Sequence, residues 1–109
     1  MMMDPLHDCM LTLALAPALE DELLDALMEH PDLASGFAVL RGQGMGTRVE
    51  LASAMERVEG RARRVFIEVA MARSNVDALL EELGWKMGSA PIAWWVVPLL
   101  GFGRLGERT

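Results

Sequence analysis

The stretch RRVFIEVAMARSNVDALLEELG, residues 63–84, changes its hydrophobic period partway along, and that change decides the fold. In its first half Val65, Ile67, Val69 and Met71 fall on one side of an extended chain while Arg64 and Glu68 fall on the other, the pattern of a half-buried strand. In its second half Val76, Leu79, Leu80 and Leu83 recur at helical spacing, with Glu81 and Glu82 on the wet side. Ser74 followed by Asp77 resembles a capping box that opens this helix, and Gly84 marks its expected end. A strand running straight into an amphipathic helix is one half of a two-layer α+β unit.

The other half lies upstream. Residues 10–16 read as a strand, and Pro17 follows where the first turn of a helix tolerates it. Glu20, Asp21 and Glu22 then sit at the positive end of the helix dipole. Leu19, Leu23, Ala26 and Leu27 form the apolar stripe of a helix to about His30, where Pro31 stops it. Residues 37–40 read as a second strand that extends toward the glycines after it, and residues 92–97 as a fourth. The order β-α-β-β-α-β with right-handed crossovers is the ferredoxin-like plan: an antiparallel sheet under two helices, with a long loop between strands 2 and 3, in a single domain over residues 1–109. In the fourth strand Trp94 and Val96 face one way and Trp95 and Val97 the other, so both faces are apolar. One tryptophan is expected in the core and the other in a cleft or subunit interface. Two helices cover one face of the sheet only, so the second face must meet something besides water, and oligomerisation is the simplest outlet.

Charge is segregated along the chain. The first 40 residues carry eight acids and no Lys or Arg, whereas residues 41–64 carry six arginines against Glu50, Glu56 and Glu59. The net charge of −6 disfavours bulk nucleic-acid binding, which needs a broad positive face, and leaves room for a small anion at one basic site. The single cysteine, Cys9, permits no intrachain disulfide. The apolar run 9–16 is short and is preceded by Asp4 and Asp8, unlike a signal peptide, and no run reaches the roughly 18 apolar residues of a membrane span. A cytoplasmic protein is the expectation.

Within the basic segment, Gly42, Gly44 and Gly46 permit positive φ and a nest of backbone N–H groups for an anion; they serve equally well as turn residues in a hairpin end. Arg57, Arg61, Arg63 and Arg64 suit bidentate binding of phosphate or carboxylate, or form a solvated surface paired with Glu56 and Glu59. Residues 49–58 also read as a short amphipathic helix bearing Leu51, Met55 and Val58. A second constellation, Met1, Met2, Met3, His7, Cys9 and Met10, has the soft donors that suit Cu(I), with His7 and Cys9 its candidate ligands; against this, Cys9 shares strand parity with Leu11 and Leu13, as a buried apolar residue would. No Ser/His/Asp or Cys/His nucleophile set is present, so catalysis has little support.

The element order, the excursion beginning Arg41-Gly42-Gln43-Gly44 and the arginines after the fourth strand resemble the PII-like superfamily of trimeric regulators. The runs 8–15, 18–27, 35–37, Val58-Glu59-Gly60-Arg61 and 95–105 look like a small uncharacterised PII-like family often encoded beside heavy-metal efflux systems. The resemblance implies a non-enzymatic homotrimer with inward-facing sheets and adenine nucleotides in the clefts between subunits. By position, Arg41, Gly42, Gln43 and Gly44 match the base of the long loop, and Arg104 and Arg108 match the basic C-terminal residues. The middle loop, residues 84–91, has Lys86, Gly88 and Ser89 but lacks the glycine-rich phosphate grip of true PII proteins, a departure that counts against ATP. The chain has no tyrosine, which excludes modification of the uridylylated PII type. Its expected partners are further copies of the chain and a transporter or regulatory protein, with neither nucleic acid nor membrane insertion. No single cofactor follows; an adenine nucleotide and a soft or transition metal are the candidates. The alternative reading is a CutA-like metal-binding protein acting in metal tolerance. A small enzyme with a cavity between sheet and helices is a third, for which the sequence offers no convincing buried polar group.

Overall fold

A computed structural model describes residues 7–44 and 62–106 of the chain. Four strands, β1 (Cys9–Leu15), β2 (Phe37–Gly44), β3 (Ala62–Met71) and β4 (Ala93–Pro98), form one sheet in the order β2-β3-β1-β4. Every neighbouring pair is antiparallel. Helix α1 (Glu20–Met28) joins β1 to β2, and α2 (Val76–Met87) joins β3 to β4. The ferredoxin-like α+β expectation is met, and the excursion between β2 and β3 leaves from the ends of two paired strands.

Strand parity places the core. Cys9, Leu11, Leu13 and Leu15 of β1 pair with Met71, Val69, Ile67 and Val65 of β3, and all eight are buried under the helices. Leu23, Ala26 and Leu27 of α1 and Val76, Leu79 and Leu83 of α2 close over them. The two helices are also tied at the surface, where Lys86 Nζ lies 3.0 Å from Glu29 Oε1 and His30 Nε2 lies 3.7 Å from Glu82 Oε2.

Both helix starts differ from the expected caps in an instructive way. Pro17–Leu19 forms a 3-10 turn ahead of α1, so Pro17 occupies the first turn of that prelude and the acids Glu20, Asp21 and Glu22 the first turn of the helix proper. Ser74 lies inside a second 3-10 turn, Arg73–Asn75, and α2 begins without a side-chain cap. The Asp8 carboxylate, contributed from just ahead of β1, instead accepts the Arg73 backbone N–H at 2.6 Å. At its other end α2 continues one turn past Gly84 to Met87. Gly88 stops it at φ 61°, with its N–H donating to the Gly84 carbonyl, the left-handed position that only glycine adopts without strain.

The second sheet face carries no helix. Leu40, Phe66, Trp95 and Val97 lie there with Met10, Thr12 and Ala14, following the alternate parity of their strands. Leu40, Trp95 and Val97 keep 44–45% of their surface exposed. Trp94, on the helix side, is 53% exposed rather than a core residue: it lies on the edge strand β4, in the wall of an open cleft beside α2.

Ile67 is fully buried at the centre of β3 opposite Leu13. Replacing it with Ala is expected to cost about 2–5 kcal/mol of unfolding free energy, whereas Leu100→Ala at a fully solvated position stays within about 0.5 kcal/mol of the parent. Urea denaturation midpoints compared at constant m value check both.

Candidate functional site

The basic end of the sheet is built by register. Arg41 pairs with Val65, Gly42 with Arg64, Gln43 with Arg63 and Gly44 with Ala62. Alternation puts Arg41, Gln43 and Arg63 on the helix side of the ladder and Arg64 on the uncovered side, at the root of the excursion. Together with Pro17, Gly42 and Val65 these four residues line an open depression of about 490 Å³. Three of its lining residues are arginines, whose guanidiniums hold phosphate or carboxylate oxygens in pairs; Arg41 and Arg63 share one face of the ladder and Arg64 takes the other.

Arg41 is already engaged. Its two terminal nitrogens donate to the two carboxylate oxygens of Glu20 at 2.6 and 3.0 Å, a fork-to-fork pair. Glu20 is the sheltered member, its side chain 16% exposed, whereas the Arg41 side chain is 66% exposed. The hydrogen bond from Arg41 holds the Glu20 carboxyl below the ordinary carboxylate range, and the same bond raises Arg41, with Asp21 adding a weaker charge effect.

The glycines serve a different purpose from the one their spacing suggests. Gly42 and Gly44 are strand residues of β2, and the only positive-φ glycines among the described residues are Gly88 and Gly106, so no backbone nest forms at 42 and 44. A Cβ on Gly42 would lie 2.9 Å from Phe66 Cε2, and one on Gly44 would lie 2.9 Å from Arg64 Cγ. Their bare backbones let Phe66 and the Arg64 stem lie across β2. Gly46, Arg57, Arg61 and the amphipathic stretch 49–58 fall outside the described residues, as does Arg108.

The remaining candidates lie elsewhere. Lys86 sits in the last turn of α2 on Glu29. Arg104 belongs to a second depression, of about 210 Å³, at the opposite end of β2. There the C-terminal segment folds back over the uncovered face beside Met10, Ala38 and Glu68. Phe102 stacks on His7 with centroids 4.2 Å apart, and the Arg104 guanidinium lies 5.6 Å from the Phe102 centroid. Phe37 lines this depression and Arg41 the basic one, four residues or roughly 13 Å apart along the strand. One chain therefore does not bring Arg104 to Arg41. His7 and Cys9 are also on different faces. His7 borders the uncovered side, while Cys9 is buried in the core with its thiol donating to the Met71 carbonyl at 3.4 Å, and burial raises its pKa. Among the described residues, no three His, Cys, Asp or Glu side chains gather as a metal site would require.

An apolar cleft of about 180 Å³ separates α2 from β4, with Leu80, Leu83, Met87, Ile92 and Trp94 in its walls. Sequence reasoning missed the Glu20 partner of Arg41, the aromatic anchor of the C-terminal segment and the Phe66 ring over Gly42. Only the third left a signal, glycines at alternate positions opposite bulky residues, and reading it required the β2–β3 register.

This sandwich, with its excursion rooted between β2 and β3, has the fold of the PII-like proteins. The chain belongs to the family described as a protein of unknown function, DUF3240, whose sequence model matches residues 6–106. A DUF3240 family protein from Shewanella baltica OS155 superposes with a TM-score of 0.73 at 22% identity, over 91% of this chain and 97% of that one. CPII, a nitrogen regulatory PII-like protein from Thiomonas intermedia K12 whose structure holds ADP, AMP and bicarbonate, superposes with a TM-score of 0.65 at 18% identity, over 89% and 93%. Among curated proteins none matches in sequence. No helix among the described residues is long and apolar enough to cross a membrane.

Gly42→Val is expected to push the Phe66 ring toward Trp95, from which it now stands 6.4 Å between centroids, and to cost about 1–3 kcal/mol by overpacking. A changed near-ultraviolet circular dichroism signal with retained far-ultraviolet signal checks it; an unchanged aromatic signal refutes the packing role.

Proposed function

We propose that this protein is a non-enzymatic PII-like regulator. Copies of the chain associate through their uncovered sheet faces, three copies on the resemblance, and the basic depression at the root of the excursion takes a small anionic effector. The observation that carries this reading is that Arg41, Arg63 and Arg64 all line one open depression, Arg41 and Arg63 from the same face of the ladder. The half-exposed apolar side chains Leu40, Trp95 and Val97 support association, because leaving them in water forgoes roughly 25 cal/mol for each Å² of apolar surface. An adenine nucleotide is the first effector to test, since the similarly folded CPII holds ADP and AMP.

Arg104 enters the same reading from a neighbouring copy, as its place at the far end of β2 keeps it from the Arg41 depression of its own chain. The output is a change in what the excursion, residues 45–61, offers to a partner protein. A heavy-metal efflux component is the partner that the family resemblance suggests.

The test is a thermal-shift series with ADP, AMP and ATP, run beside sedimentation equilibrium. A ligand that binds only the folded state adds about 2.7 kcal/mol at 100 times its dissociation constant, a clear rise in midpoint. The expected result is a rise with ADP or AMP that Arg41→Ala removes, in a protein that sediments as an oligomer. Trp95→Lys, placing a charge on the uncovered face, is expected to lower the sedimenting mass. A monomeric parent protein with no nucleotide response would overturn the reading.

A further inference from the structure

The Glu20–Arg41 pair bears directly on what the basic depression accepts. Of the three arginines that line it, one is occupied on both of its outer nitrogens by a carboxylate from the same chain. That carboxylate is fixed in place by the first turn of α1, and Asp21 beside it adds to the negative field at Arg41. The arginine remains the exposed partner and the acid the sheltered one, so a ligand approaching from solvent meets the guanidinium with Glu20 behind it.

We infer that Glu20 is a built-in competitor that sets the affinity and charge selectivity of this depression, so that it favours a ligand with two adjacent phosphate groups over one with a single carboxylate. The inference rests on the reading of the depression as an anion site. A free monocarboxylate offers Arg41 the same fork that Glu20 already supplies. It must then displace a tethered partner whose effective concentration is in the millimolar range or above. A diphosphate holds an advantage that Glu20 lacks, because its second phosphate engages Arg63, on the same face of the ladder, while the first takes Arg41. Glu20 is ionised at neutral pH as any ordinary carboxylate is, and its hydrogen bond to Arg41 extends the competition toward acid pH. Glu20 is on this account a specificity-determining residue that touches the ligand's arginine rather than the ligand.

The experiment is calorimetric titration of the full-length protein with inorganic pyrophosphate and, separately, with acetate at neutral pH. It uses the parent chain, Glu20→Gln, Glu22→Gln and the double variant Arg63→Ala/Arg64→Ala. Glu22→Gln removes the same charge from the same helical turn without touching the pair, and so separates contact from net charge. Glu20→Gln is expected to tighten pyrophosphate binding about two- to fivefold, the range in which exposed ion pairs act. Glu22→Gln is expected to stay near the parent value, the double variant to lose binding, and acetate to bind the parent more weakly than pyrophosphate does. Equal pyrophosphate affinity in the parent and Glu20→Gln, with binding lost in the double variant, overturns the role of Glu20 and leaves the anion site standing. An equal gain in Glu20→Gln and Glu22→Gln also overturns that role, since net charge then accounts for the effect. Absence of pyrophosphate binding in both the parent and Glu20→Gln overturns the inference and the anion site together.

Discussion

Two helices can cover one face of a four-stranded sheet, and the arrangement of this protein follows from that geometric limit. Strand side chains alternate with period two, so each strand delivers half its residues to the helices and half to the far side. On the helix side β1 and β3 place four buried residues each, and these meet the leucines of α1 and α2 in one core. On the far side the same strands, with β2 and β4, present Leu40, Phe66, Trp95 and Val97 to no second layer. Leu40, Trp95 and Val97 thus gather half-exposed on one face, where they are suited to association, while other exposed apolar side chains such as Met28, Trp85 and Leu100 lie elsewhere on the surface.

The same ladder fixes the basic end. Strand β2 runs on through Gly42 and Gly44 because its backbone continues to pair with β3 as far as Ala62, so the arginines there are held by sheet register and not by a loop. Register decides which arginine faces which layer, Arg41 and Arg63 toward the helices and Arg64 away from them. The glycines complete the arrangement by omission, since a side chain at either position would collide with Phe66 or with the Arg64 stem. Helix α1 then brings Glu20 onto Arg41, which makes the local charge pattern a joint product of both layers.

The sequence was legible wherever a single element's period carried the information. Alternation over residues 65–71, the leucine stripes of both helices and the apolar runs at 10–16, 37–40 and 92–97 were enough to place six elements in order and to assign the buried face of β3. Helix ends were less legible, because their determinants came from elsewhere in the fold: Asp8 serves the turn before α2, and Gly88 rather than Gly84 stops that helix. Trp94 and Trp95 were assigned opposite faces correctly, but neither is buried: Trp95 lies on the uncovered face, and Trp94 on an edge strand, a property of strand order rather than of local pattern. At the basic end the arginines were visible as a charge cluster. Their sorting between faces, the purpose of the glycines and the Glu20 partner all depend on contacts between residues about twenty positions apart.

The separation of Arg41 from Arg104 ties the proposed ligand site to assembly. The C-terminal segment is anchored at its own end of the sheet by the Leu99 N–H on the Asp8 carbonyl and by the Phe102–His7 stack. That anchoring keeps Arg104 at the start of β2 while the basic depression opens at its end. On the proposed reading, a cleft that uses both groups exists only where two copies meet. A ligand bound in such a cleft contacts both copies and so favours the assembled state by mass action. Effector binding and association are then two aspects of one equilibrium, and Glu20, by weakening the hold of Arg41 on an anion, also limits how strongly a ligand can drive the chains together.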